Sequence, residues 1–370
     1  MRTNEFTRLF NIRFFLIIIV VLFLLNFGIE KVKWPAVCTQ NEATPVSVGT
    51  QVSTVPESSK VWDAIDGVGY QFKNSSTEVV LDKRFEELNN LPLCENLKMA
   101  KIEQEVKNKI DDLKKQFFEC ISPIVSRWKG NPTAMNIEWV SKARICDHLP
   151  IFKSIGVVPF ANLHEIKWAI LPKCKEENVM VTLGVGHDTY AEEKLNKTLP
   201  NTKFYGADPI VEPNRQMYSE FGKFFPFAIG REPGFTKFRV LPNQHQKTRA
   251  YRFEDVTTIP FVYFLSDILK LKKIDFAWFD IEGGEFQFLD QLHRDGPLDQ
   301  KGVTICQMNL EVHSKFHPPG AQVFYDFIIR VLVEKRYVFL QSLPTDVGVH
   351  RMFFVNVENE ECVAKFFQTF

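Results

Sequence analysis

Neither sign of charge prevails in these 370 residues, where 45 Lys and Arg stand against 45 Asp and Glu. A nucleic-acid binder needs a basic face to displace counterions, so that class of partner is excluded. No two cysteines have CxxC spacing, which argues against a zinc ribbon or a thioredoxin-type site. No period of about 20–50 residues recurs, so a solenoid or propeller is excluded too. Wholesale disorder is ruled out by ordinary proportions of hydrophobic (45%) and charged (24%) residues.

What is present begins with an apolar run. Phe14 to Leu25 reads FFLIIIVVLFLL and continues to Ile29, with Arg2, Arg8 and Arg13 before it and Glu30, Lys31 and Lys33 after it. A membrane-spanning helix needs ~17–25 residues, so 14–29 sits at the short limit, suited to a thinner early-secretory bilayer. The arginines predict residues 1–13 on the cytoplasmic side and a lumenal remainder. A cleaved signal peptide would need a small-x-small pair just beyond the core, and Asn26-Phe27-Gly28-Ile29-Glu30 has none. The expectation is an uncleaved signal anchor. All seven cysteines follow it, and in an oxidising lumen they can form up to three bridges with one left over. Cys38 is the candidate for an intermolecular bridge, and hence for a homodimer. Asn74-Ser75-Ser76 and Asn196-Lys197-Thr198 match the glycosylation acceptor pattern.

Residues 30–60 are rich in Thr, Ser, Val and Pro and lack a period, as a stalk would. Residues 61–175 read as a helical, cysteine-bearing lead-in without a catalytic motif. From about Pro92, helical spacing links Leu97, Ile102, Val106, Ile110, Leu113, Phe117 and Ile121. A second helix is expected over Asn136 to Leu149. Residues 176–370 change character. Strands are predicted at Val179–Leu183, Phe204–Ala207, Phe224–Ile229, Ile274–Phe279 and Val303–Val312. Tyr337–Leu340 and Met352–Val355 complete the set, and a helix is expected from Thr189 to Leu199. Strands alternating with helices imply an α/β fold with a doubly wound, mostly parallel sheet.

Such sheets bind ligands at the carboxyl ends of strands. The first predicted strand ends in Gly184-Val185-Gly186-His187-Asp188, where missing side chains let backbone approach a ligand. Asp208 ends the second, 24 residues after Gly184, where a carboxylate can accept hydrogen bonds from ribose hydroxyls. A dinucleotide fingerprint would want a third glycine where Thr189 stands, which weakens a nicotinamide reading. Asp280-Ile281-Glu282-Gly283-Gly284-Glu285 ends the fourth strand and places acids beside the same pocket, as a general base, as metal ligands or as backbone anchors. His313, after Glu311 at the end of the fifth strand, is an acid–base candidate. No metal-ligand spacing is clear enough to assign an ion.

The string from Ile274-Asp275-Phe276 through Asp280-Ile281-Glu282-Gly283-Gly284-Glu285 to Phe288-Leu289 resembles the hallmark of the FkbM family. The loop Gly184 to Asp188, the pair Asp208-Pro209, the segment Phe227-Ala228-Ile229-Gly230 and Leu265 to Leu269 resemble its other landmarks, over roughly residues 178–355. With its anchor and lead-in, the whole chain looks like a nematode, membrane-anchored branch of that family. The resemblance implies a Rossmann-like methyltransferase fold of class I and S-adenosylmethionine as cofactor. It implies Gly184, Gly186, His187, Asp188, Asp208 and Ala228 as cofactor-binding residues; a hydroxyl acceptor then needs deprotonation, for which Asp280, Glu282 and His313 are the catalytic candidates, with His187 read rather as a cofactor-loop contact. Two departures stand out: Trp278 occupies a position often held by Lys, and His187-Asp188 replaces Ala-Asn-like residues. In a lumen the acceptor would be a small molecule or a glycan, giving O-methylation of a sugar hydroxyl. A catalytically inactive scaffold that keeps the fold is the alternative.

Overall fold

The computed structural model describes residues 88, 90–95, 104–242, 250–314 and 320–368, all inside one compact unit spanning 71–370. The expected anchor, the stalk with Cys38, the Asn74 triplet, Leu97 and Ile102 lie outside the described residues. Among the described residues, no helix is long and apolar enough to cross a membrane.

In chain order, β1 (Val157–Ala161) and β2 (Ile166–Ile170) form an antiparallel hairpin. β3 (Asn178–Leu183), β4 (Thr202–Ala207) and β5 (Gly222–Phe225) follow. Next come β6 (Ala228–Gly230), β7 (Gly234–Val240) and β8 (Arg252–Pro260). β9 (Lys273–Ile274) leads into β10 (Phe276–Phe279), and β11 (Thr304–Ile305) into β12 (Gln307–His313). β13 (Tyr337–Pro344) and β14 (Val349–Asn356) complete the order.

Seven strands make the central sheet, in the order β13-β14-β12-β10-β3-β4-β5. The ladders among β12, β10, β3, β4 and β5 are parallel, whereas β14 runs antiparallel to both β12 and β13. The sheet is therefore mixed and mostly parallel. All four residues of β10 and all seven of β12 are buried, as expected where both faces of a sheet are covered. The chain enters the sheet at β3, winds outward through β4 and β5, then returns to β10 on the other side. Strand order reverses between β3 and β10, and at such a point the connections diverge and leave a crevice at the carboxyl ends.

Three expected strands are more divided than their apolar runs suggested. Phe224–Ile229 splits, because β5 joins the central sheet and β6 pairs with β8 in a separate three-stranded sheet. The fourth and fifth strands are interrupted at Asp275 and Cys306. Both residues are tied to the C-terminal helix Glu360–Phe366, Asp275 through Lys365 Nζ (2.8 Å) and Cys306 through a disulfide to Cys362.

The lead-in shares one hydrophobic core with the sheet. Helix Gln104–Ser126 buries Val106, Ile110, Leu113, Phe117 and Ile121, the stripe its spacing predicts, and the Phe117 ring meets Phe339 of β13 at 4.8 Å. The second helix runs from Pro132 to Ala143, started by the Asn131 side chain, which accepts the Ala134 N–H. It then tightens into a 3₁₀ turn over Arg144–His148, where the expected helix continued to Leu149. Cys120–Cys146 joins the two segments, and Cys94–Cys174 ties the start of the described chain to the residues before β3. The described cysteines thus form three disulfides.

Candidate active site

The loop after β3 is shaped by its glycines. Gly184 has φ +84°, and a Cβ there would lie 1.8 Å from the carbonyl oxygen of Asp280. Only glycine lets the tips of β3 and β10 approach this closely. Backbone bonds lock the row of tips: Asp208 N–H to Phe225 O (3.2 Å), Gly184 N–H to Ala207 O (2.9 Å) and Asp280 N–H to Leu183 O (2.9 Å). Asp208 also grips the loop. Its Oδ2 accepts the N–H groups of Val185 (2.9 Å) and Gly186 (3.2 Å), and its Oδ1 accepts that of Ile210 (2.8 Å). Burial pushes its carboxyl above the usual range, against the pull of those donors. Asp188 Oδ2 accepts the Leu163 N–H (2.7 Å), fastening the loop to the β1–β2 turn.

The acidic string divides its labour. Gly283 takes φ +105°, and Gly284 leaves room for the Phe238 ring, which a Cβ would meet at 2.6 Å. Glu285 is fully buried and turns back on its own loop, its two oxygens accepting the N–H groups of Ile281 and Gly283 at 3.0 Å each. Asp280 and Glu282 line the cavity.

Gly184, Gly186, Asp188, Asp208, Ala228, Asp280 and Glu282 all border one cavity. The structure thus brings together seven of the nine residues singled out from the sequence. The other two are not among its lining residues. His187, with φ +64°, is buried within the loop, and its backbone N–H donates to Asn214 Oδ1 (2.9 Å). His313 is buried behind the acids, at the centre of a charge cluster. Its Nδ1 lies 3.1 Å from Glu285 Oε1, and its Nε2 lies 3.3 Å from Glu311, 3.5 Å from Glu282 and 3.7 Å from Asp280.

That surrounding sets the protonation of each group. Burial works against an imidazolium at His313, but Glu285, Glu311 and Asp280 outweigh it and hold the pKa well above the usual value. These carboxylates favour the imidazolium form of His313. Burial would raise Glu311, yet His313 and Arg351 hold it well below the carboxylate range. Asp280 goes the other way: burial and then Glu311 push it well above the usual value, and Lys167 offsets only part of this. Its Oδ1 is buried without a hydrogen-bond partner.

Sequence reasoning missed several members of the cluster. Glu165 and Lys167 come from the β1–β2 hairpin, inside the lead-in that carries no motif. Lys167 Nζ lies 2.8 Å from Glu165 and 3.8 Å from Asp280. Arg351 pairs with Glu311, its exact opposite number in the β12–β14 register, and Arg239 of β7 pairs with Glu282. Such cross-strand partners leave no local signal, because register belongs to the folded sheet. Two acidic sets bring ligand atoms within 4.8 Å of one another, Asp280–Glu285–His313 and Glu165–Asp280–Glu311. Lys167 and Arg351 already sit against the second set, and in the first Glu285 is taken up by the Ile281 and Gly283 N–H groups, so no metal is assigned to either.

The model of the FkbM methyltransferase domain matches residues 130–339. The chain belongs to this family. The match begins well before the stretch that carries the sequence resemblance, and so includes the β1–β2 hairpin with Glu165 and Lys167. A comparison with curated proteins gave no match. FkbM membership makes methyl transfer the chemistry against which the cavity is to be understood.

Proposed function

We propose that this FkbM protein transfers a methyl group from S-adenosylmethionine to a hydroxyl of a glycan or another secretory-pathway substrate. The observation that carries the reading is the convergence of Gly186, Asp208 and Asp280, from three strand tips, on a single cavity. When bound, the cofactor supplies a methyl group already activated by its sulfonium charge. The lining suits such a guest. Ala228, Ile229, Phe238 and Val240 offer an apolar wall to an adenine, and the Asp208 carboxylate keeps acceptor capacity for a ribose hydroxyl.

Asp280 is the general base in this reading. It lines the cavity, its Oδ1 has no hydrogen-bond partner, and burial and Glu311 raise its basicity above that of an ordinary carboxylate. Glu311, Arg351, Lys167 and His313 hold that carboxyl in place and balance its charge. The three disulfides favour an oxidising compartment, and with it the anchor at 14–29 and a lumenal catalytic unit.

Calorimetry on the full chain with S-adenosylmethionine tests the reading. Wild type is expected to bind saturably, Ala228→Trp to lose binding by filling the cavity wall, and Asp280→Asn to bind but not transfer. Folded wild-type protein that binds no S-adenosylmethionine would overturn the proposal in favour of a scaffold that keeps the fold.

A further inference from the structure

The β7–β8 ribbon leaves two large apolar side chains in water: Phe235 is 73% exposed and Phe253 is 63% exposed. Register places them on one face. Antiparallel partners share a side and alternate residues repeat it, so the pairs Phe235↔Thr257, Lys237↔Asp255 and Arg239↔Phe253 project together. The Lys237–Asp255 ion pair at 3.1 Å agrees with that geometry. The opposite face turns Phe238, Val240, Val256 and Thr258 inward. At one end the outer face runs into the cavity. Arg239 and Tyr251 both line it, with the Arg239 guanidinium 4.0 Å above the Tyr251 ring and paired with Glu282. Tyr251, Phe253 and Phe235 therefore mark a line leaving the cavity, about 20 Å long at roughly 3.4 Å per residue of strand.

We propose that this face is a binding track for the outer units of a neutral glycan whose reacting hydroxyl enters the cavity. The proposal rests on the methyl-transfer reading of that cavity and names its substrate class. The face is continuous with the cavity through Arg239 and Tyr251, so it lies where the part of a substrate outside the cavity would rest. Here Lys237 and Asp255 separate Phe253 from Phe235, with Arg239 and Thr257 opposite the two rings, so the face alternates apolar and hydrogen-bonding groups. Sugar units present the same alternation, with C–H faces between hydroxyl edges, whereas a subunit interface needs a continuous apolar core. Arg239 is engaged by Glu282 and Lys237 by Asp255, so among the described residues this face carries no net positive charge to select an anionic polymer.

The test uses the full chain in mild detergent, with N-acetylglucosamine and mannose oligomers of one to six units as probes. Binding is measured by calorimetry, and methyl incorporation is scored separately. For at least one series, affinity is expected to rise tenfold or more from monomer to hexamer. Phe253→Ala and Phe235→Ala should each remove most of that gain, while Phe253→Trp keeps it and melting temperatures stay unchanged. Hexamer binding no tighter than the monomer's, or unchanged in both alanine variants, overturns the track. So does binding of phosphatidylcholine vesicles that the same variants lose while hexamer binding survives. A protein that binds S-adenosylmethionine and hexamer in the expected pattern, yet transfers no methyl group, supports the track and refutes the enzymatic reading. Methylation of sugars with KM unmoved in the variants refutes the track alone.

Discussion

Replacing His313 by Gln removes the one side chain, among the described residues, whose nitrogens lie against Glu285, Glu311, Glu282 and Asp280 together. Each contact lies between 3.1 and 3.7 Å. At an effective dielectric near 20, one such pair is worth on the order of 4–5 kcal/mol before desolvation. Breaking a buried pair from one side costs about 3–5 kcal/mol, because the surviving carboxylates remain buried and unbalanced. The penalty should depend on pH in a defined way. The His313 pKa is raised above the ordinary 6.5, so its stabilisation is full below that value and is lost as pH rises through the raised one. The Glu311 pKa is lowered below the ordinary 4.5, so its contribution is present above that value and is lost as pH falls. Denaturant unfolding of His313→Gln should therefore show its largest deficit, about 3–5 kcal/mol, between these two ordinary values. The deficit should shrink toward both alkaline and strongly acid pH. A deficit below about 1 kcal/mol, the scale of an exposed ion pair, or one that stays flat across the range, would refute the account of His313 as the buried cation of the cluster.

Other sites give sharper structural tests. Gly184→Ala drives a Cβ to within 1.8 Å of the Asp280 carbonyl at a φ of +84°, so the tips of β3 and β10 must part. S-adenosylmethionine affinity by calorimetry should fall at least tenfold, and wild-type affinity would contradict the close approach. Lys365→Met strands the buried Asp275 carboxylate, and unfolding should become easier by about 3–5 kcal/mol. The double variant Lys365→Met, Asp275→Leu should recover much of that loss, and failure to recover would show that the ion pair is not its source. Replacing Cys306 and Cys362 together by Ser frees the C-terminal helix from the sheet, and thermal unfolding should reveal a loss of about 2–5 kcal/mol. A protein equally stable with and without reductant would exclude that contribution.

Much of the central sheet was legible as short apolar runs, because strands buried on both faces need only be apolar and bounded by turns. β3, β4 and β10 emerged within a residue or two on that basis. Where one run hides a change of sheet, as between Phe225 and Ala228, hydrophobicity carries no mark of the break. The acidic string after β10 was legible as a site, but not the division of roles within it. Glu285 reads like its neighbours in sequence, and only the fold shows it spent on its own backbone. His313 was expected as an acid–base candidate from its place after Glu311 at a strand end. That four carboxylates from two stretches of chain surround it and favour its protonated form is visible only in the fold.

Local chemistry by itself determined that this chain would wind strands and helices alternately, with glycines where backbones must approach and acids at strand tips. These are properties of single residues and near neighbours, so they survive in a linear string. Tertiary structure alone decided which tips adjoin, that the β1–β2 hairpin would bring Glu165 to the cavity and Lys167 beside Asp280, and that Arg351 would face Glu311. Pairing, register and shared burial are relations between distant segments, and they set both the charges at the site and the surfaces beside it.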